Sequence, residues 1–145
     1  MATRPQPKVD ADTAEFWAQL DAGTFALQGC ARCRRLRFYP QPVCPHCRSF
    51  DYAWRALSGR GTLASWTIVH HAVNDFFKSR VPYSVVLVSL EEDPAVRLIG
   101  NLSEASEGTP LHTGAAVRLR IVKEQPDLAA VYEFDLVPER TGRGS

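Results

Sequence analysis

Four cysteines fall within eighteen residues, as Cys30-Ala-Arg-Cys33, ten intervening residues, and Cys44-Pro-His-Cys47. No other feature of the chain limits its fold so tightly. Two Cys-x-x-Cys turns let four sulfurs converge in a tetrahedron around one Zn²⁺, at Zn–S distances of about 2.3 Å. The spacer is shorter than in the commonest four-cysteine pattern, yet long enough for a hairpin that folds one knuckle onto the other. Two disulfides are the alternative, but nothing else in the sequence points to an oxidising compartment. A redox dithiol fits less well, because two knuckles occur and each stabilises the other's metal. His46 lies inside the second knuckle, where four cysteines already fill the coordination shell. The ligands are therefore Cys30, Cys33, Cys44 and Cys47, and the expected cofactor is one structural zinc.

These four are all the cysteines in the chain. With every sulfur on the metal, no thiol is left for nucleophilic catalysis and no coordination position stays open for water. The formal net charge is +1 with neutral thiols. Four thiolates around one Zn²⁺ bring the holo chain to about −1. A near-neutral chain is a poor general binder of nucleic acid, whose affinity comes from neutralising phosphates. Arg32, Arg34, Arg35, Arg37 and Arg48 surround the knuckles, and no acidic residue occurs from Ala22 to Phe50. These arginines offset the thiolate charge; a patch for a phosphate or an acidic partner is the second reading.

The chain's 145 residues suit one domain or two small ones sharing a core. Residues 1–9, with Pro5 and Pro7, read as a mobile tail. Asp12 is placed to cap a helix, with Glu15 completing a capping box and Gly23 ending it. Phe16, Trp17 and Leu20 share one side of that helix. They pack either on the chain's own ribbon or into another protein, and they are the candidate partner-binding stripe.

The ribbon is expected over residues 25–56, after the tail and helix of 1–24. Strand patterns follow over 57–137. Residues 62–71 are β-branched and aromatic, and residues 83–90 read as a strand buried on both faces. Residues 96–102 follow, and then Val117, Leu119 and Ile121 alternate with Arg118 and Arg120. In the last strand Tyr132, Phe134 and Leu136 alternate with Glu133 and Asp135. Five strands with turn signals between them indicate a small barrel, with an OB-fold as the obvious candidate. Residues 138–145 read as a disordered tail. The loop before the second strand carries Phe76, Phe77, Lys78 and Arg80, the candidate contacts for a ligand or partner. His70 and His71 end the first strand, one expected inward and one outward, with no catalytic constellation around them. No secretory leader or spanning segment is legible, so a cytoplasmic protein is expected.

The order of these pieces is more informative than any one of them. Phe16-Trp17 and Leu27-Gln28-Gly29-Cys30 are followed by Phe38-Tyr39-Pro40 and Cys44-Pro45-His46-Cys47. Then come Trp54, Gly59-Arg60-Gly61-Thr62, Ser65-Trp66-Thr67 and Pro82-Tyr83-Ser84-Val85-Val86. From about Phe16 to Leu136 the chain resembles the acyl-CoA-associated family of zinc-ribbon OB-fold proteins. The resemblance implies a mainly β chain with an N-terminal helix, a rubredoxin-like four-cysteine zinc ribbon and a five-stranded OB-fold barrel. It implies a non-catalytic accessory subunit, held in a hetero-oligomer with a thiolase-superfamily enzyme or an acyl-CoA hydratase. The barrel would then lie near the mouth of the partner's CoA channel, with acyl-CoA at the interface and no role for a membrane. Two other functions stand beside it: a single-stranded nucleic-acid-binding module, disfavoured by charge, and a free-standing acyl-CoA-binding protein. One departure concerns the knuckles. Glycine often follows each of them in the family, where left-handed backbone is wanted, whereas Arg34 and Arg48 stand there in this chain. The cost is roughly 1 kcal/mol each, which metal binding can absorb.

Overall fold

The fold is taken from a computed structural model that describes residues 2–138. A capped turn over residues 11–13 leads into its first helix, α1 (Ala14–Asp21), in place of the cap expected at Asp12. Asp10 Oδ1 accepts the Thr13 N–H at 3.0 Å, and Thr13 Oγ1 accepts the Asp10 N–H at 3.1 Å. This reciprocal cap displaces the expected Asp12–Glu15 box, because Ala14 already donates back to the Asp10 carbonyl. Glu15 instead accepts from Gln19 Nε2 one turn on. Gly23 ends the helix as expected, in left-handed conformation at φ +91°, with its N–H on the Leu20 carbonyl.

Three antiparallel strands follow: β1 (Ala26–Cys30), β2 (Leu36–Arg37) and β3 (Tyr52–Ala56), in the order β2-β1-β3. The remaining five are β4 (Arg60–Val69), β5 (Tyr83–Leu90), β6 (Arg97–Leu102), β7 (Ala116–Val122) and β8 (Val131–Leu136). They close into a barrel in the order β4-β5-β6-β8-β7, with β6 and β8 parallel and the other pairs antiparallel. This is the five-stranded OB arrangement. A short helix, α2 (Asp75–Lys78), joins β4 to β5, and a 3₁₀ turn (Glu104–Ser106) follows β6.

Closure depends on Gly61, which pairs with Leu90 on one side and Val117 on the other. A Cβ there would run into the Ser89 carbonyl oxygen and meet Val88 Cγ1 at 2.7 Å. Only glycine lets three strands meet so closely.

The expectation that β5 is buried on both faces is corrected. Its burial alternates strictly, with Ser84, Val86, Val88 and Leu90 inside and the intervening residues half-buried. Three of its four outward residues, Tyr83, Val85 and Leu87, are apolar too, and that hid the period of two. His70 and His71 both lie beyond β4 and are exposed, so neither faces inward.

Helix, ribbon and barrel share one core. Phe16, Phe25, Leu27 and Leu36 are buried in the same cluster as Leu63, Val88, Leu98, Val117 and Phe134. Each such side chain contributes about 1.5–3 kcal/mol when fully buried. Asp93, in the turn between β5 and β6, accepts the Leu36 N–H and pairs with Arg35, a second tie from ribbon to barrel.

The N-terminal segment is not the mobile tail its prolines suggest. Arg4 is buried, paired with Glu124 and Glu133, and Gln6 Oε1 accepts the Ala129 N–H at 2.8 Å. This strap also covers Glu133, which alternation alone places on a solvent face. Of the tail expected at 138–145, all but Pro138 lies outside the described residues. No helix among the described residues is long and apolar enough to cross a membrane.

Candidate metal centre

The two knuckles are built alike. Arg34 N–H donates to the Cys30 carbonyl and Arg48 N–H to the Cys44 carbonyl, each at 3.0 Å. Cys30 N–H and Cys44 N–H close the other side, on the Arg35 and Ser49 carbonyls at 2.9 Å. Arg34 and Arg48 take left-handed backbone at φ 65° and 62°. The missing glycines therefore leave the turn geometry unchanged, and the chain carries the local strain instead.

This geometry brings the four sulfurs within 4.8 Å of one another. Cys30 and Cys47 Sγ are 3.5 Å apart, and Cys33 and Cys44 Sγ are 3.6 Å apart. A zinc tetrahedron with bonds of about 2.3 Å has edges of about 3.8 Å. The observed edges fit it, and a disulfide, at about 2.05 Å, is not formed. Two backbone N–H groups point at the sulfurs, Cys33 N–H toward Cys30 and His46 N–H toward Cys44. The His46 side chain is exposed and the four sulfurs complete the set. The Cys33 N–H, with other donors, lowers the Cys30 thiol to about 5. Such donors favour thiolate, the form that ligates metal.

Sequence reasoning missed the residue that holds the knuckles together. Arg37 is one of the five arginines around the knuckles, yet it is buried at 1% exposure. Its Nη1 donates to the Gln41 and Pro42 carbonyls at 3.3 Å, and Nη2 donates to those of Ser49 and Asp51 at 3.1 and 3.2 Å. Its guanidinium lies over the Tyr52 ring at 5.0 Å. One planar fork thus gathers the backbone on both sides of the second knuckle. It stands on β2, directly opposite Gln28, a pairing that local sequence pattern does not reveal.

The other candidate residues fall elsewhere. Phe16 and Leu20 have no exposed surface, so these two are packing residues and are corrected as partner contacts. Trp17 is half-buried at the core's edge, its ring 4.9 Å from Phe16. The stripe therefore turns inward and leaves only its rim exposed. Phe76 and Phe77 sit half-buried on α2, with Phe77 5.1 Å from the Tyr83 ring. Arg80 stacks over Phe76 at 4.2 Å and pairs with Glu104, while Lys78 pairs with Asp75 at an exposed position. All four lie on α2 or just after it, in the connection between β4 and β5.

Comparison with known proteins agrees with this architecture. Residues 17–53 match the family model for the ChsH2 rubredoxin-like zinc ribbon domain, and residues 54–122 match that for the ChsH2 C-terminal OB-fold domain. A probable enoyl-CoA hydratase alpha subunit of Thermomonospora curvata is 33% identical over 138 residues, covering 95% of this chain and 42% of that protein. The chain thus spans less than half of that relative's length. A DUF35 domain-containing scaffold protein of Methanocaldococcus jannaschii is 30% identical over 113 residues, covering 75% of this chain and 77% of that one. A solved structure described as Ltp2-ChsH2(DUF35) aldolase superposes with a TM-score of 0.77 at 31% identity, covering 90% of this chain and 98% of that chain. With its four-cysteine ribbon and closed five-stranded barrel, the chain belongs to the ChsH2/DUF35 family of zinc-ribbon OB-fold proteins.

Proposed function

We propose that the chain is a non-catalytic accessory subunit of a thiolase-superfamily enzyme acting on acyl-CoA, working in the cytoplasm. It stabilises that partner and shapes the entrance for CoA or the acyl group. One observation carries the reading: all four cysteines are gathered in one cluster positioned to hold a metal ion. Thiolase-type acyl transfer needs a free nucleophilic thiol, and a coordinated thiolate is not available for it. The metal, when bound, supplies structural coordination, and the chain's residues supply a fixed platform.

The relatives support this in kind. One is named a scaffold protein, and one superposed structure is described as an Ltp2-ChsH2(DUF35) aldolase. The relative named for hydratase activity is more than twice the length of the region shared with this chain. Hydratase chemistry in this chain is accordingly not part of the proposal. The contacts with partner or CoA are assigned to Trp17 at the helix rim and to Phe76, Phe77, Lys78 and Arg80 around α2.

The test is reconstitution. The tagged chain is co-expressed with thiolase-superfamily enzymes of the same genome, and acyl-CoA turnover is followed with each component alone and together. The expected result is a stable hetero-oligomer and turnover that appears or rises only with both. Robust turnover by the isolated chain overturns the reading, as does salt-sensitive binding of single-stranded oligonucleotide with no enzyme partner.

A further inference from the structure

Residues 2–9, which lie on the barrel before α1, have one buried residue, Arg4, at 6% exposure among neighbours that are half-buried or exposed. Its side chain enters a pocket between β8, the β7–β8 connection and α2. Nη2 lies 3.7 Å from Glu133 Oε1, and Nε lies 3.4 Å from Glu124 Oε1. The guanidinium also lies over the Phe76 ring at 5.3 Å, with Arg80 on that ring at 4.2 Å. The Glu133 side chain is 10% exposed. Burial raises its pKa, and Arg4 is the first of the charges that oppose the rise.

Two carboxylates and an aromatic face make a site for a planar cation, which pairs at its edge and stacks on its face. Arg4 fills that site incompletely. Its Nε is buried, and the contact with Glu124 does not amount to a hydrogen bond. Both ion-pair distances exceed the 2.7–2.9 Å of well-made charge-assisted bonds. A hollow of about 40 Å³ remains beside it, lined by Phe77, Arg80, Tyr83 and Glu107 among others. Beyond Arg4, the strap is tied to the barrel by the Gln6–Ala129 hydrogen bond. A segment with one buried side chain opens far more readily than the core does.

We propose that the pocket formed by Glu124, Glu133 and Phe76 is a guanidinium receptor, that Arg4 is its exchangeable internal occupant, and that an arginine side chain of a partner protein takes the same place when the strap lifts. The buried Glu133 carboxylate favours exchange over vacancy, since an unpaired charge there is costly. The need for a partner rests on the accessory-subunit reading. The pocket itself is tested on the isolated chain, so its failure leaves that reading intact.

The probe is N-acetyl-arginine amide, with N-acetyl-lysine amide at equal concentration and ionic strength as control. In Arg4→Ala the melting temperature should fall, and millimolar arginine amide should restore part of the loss while lysine amide restores clearly less. Adding Glu133→Gln to that variant should abolish the restoration. In the wild-type chain the arginine probe should accelerate amide exchange at residues 4–9. Equal responses to the two amides, or an Arg4→Ala response no larger than wild type's, would overturn the proposal. So would strap exchange indifferent to the probe. If Arg4→Ala fails to fold, Arg4→Lys keeps the charge without the fork, and less arginine probe should then displace the strap than in wild type; an unchanged requirement overturns it.

Discussion

Asp21, at the end of α1, accepts a hydrogen bond from Lys123 Nζ at 2.7 Å across 102 positions of sequence. The same oxygen accepts the Ala130 N–H at 3.2 Å, so one carboxylate fastens the helix to the β7–β8 connection. The Lys123 hydrogen bond, and then that of Ala130, hold its pKa below the ordinary 3.8. A depressed folded-state pKa means the stabilisation is present above about 3.8 and is lost as pH falls through the folded value. Asp21→Asn should therefore be less stable than wild type at neutral pH, and the two should converge in acid. Denaturant titrations across pH 2–7 check this, and a difference independent of pH would refute it.

Arg37 should matter more to the ribbon than any exposed arginine. Arg37→Met keeps the stem but leaves four backbone carbonyls without their donor. The expected loss is about 3 kcal/mol or more, with faster zinc release to a chelating dye. Arg32→Met should stay within about 0.5 kcal/mol of wild type. Equal behaviour of the two variants would show that the buried fork is dispensable.

Metal removal tests the cysteine cluster directly. The purified chain should hold one zinc, and Cys44→Ser should lose it. Chelation under reducing conditions should abolish amide protection through β1, β2 and β3, because the metal's binding free energy is folding free energy there. Retained protection after complete zinc removal would show that the ribbon folds without metal.

Gly100 offers a test of barrel packing. A Cβ there would meet Phe134 Cε2 at 2.9 Å and Tyr132 Cε2 at 3.1 Å. Phe134 is in the core and Tyr132 packs against it, so Gly100→Ala should cost about 1–3 kcal/mol through overpacking. Gly108→Asn, at a left-handed position with open space around it, is the control and should cost less. Thermal melts of both variants suffice.

The helix separates internal packing from partner contact. Phe16→Ala should destabilise the chain by about 3–5 kcal/mol, since its side chain is wholly inside. Trp17→Ala should reduce partner affinity roughly thirtyfold, about 2 kcal/mol, and leave zinc content intact. Affinity unchanged alongside a large drop in Tm would place Trp17 with Phe16 as packing alone.

The metal ligands and the strand sequence were legible because each rests on short-range pattern. Cys-x-x-Cys spacing fixes a knuckle, and alternation around Phe134 fixes a strand. Arg37, Arg4 and Glu133 were not legible, for one common reason. A charged side chain is read as exposed unless its partners are known, and those partners lie on other elements: Ser49 and Asp51 for Arg37, Glu124 and Glu133 for Arg4. The Asp12–Glu15 cap failed more locally. Two overlapping capping patterns were present, and the earlier one engaged the backbone first.

The single core running from Phe16 through Leu27 and Leu36 to Phe134 bears on how such a chain is inherited. A crossover falling between ribbon and barrel would hand each descendant half of an apolar interior and nothing to cover it. Recombination that leaves a working product must carry helix, knuckles and barrel together as one cassette. The matched region should therefore travel intact when it is joined to a longer polypeptide, as in the hydratase subunit to which 95% of this chain aligns. Engineering should respect the same unit: a graft of residues 14–136 preserves the interior, whereas a transplanted ribbon alone forfeits it.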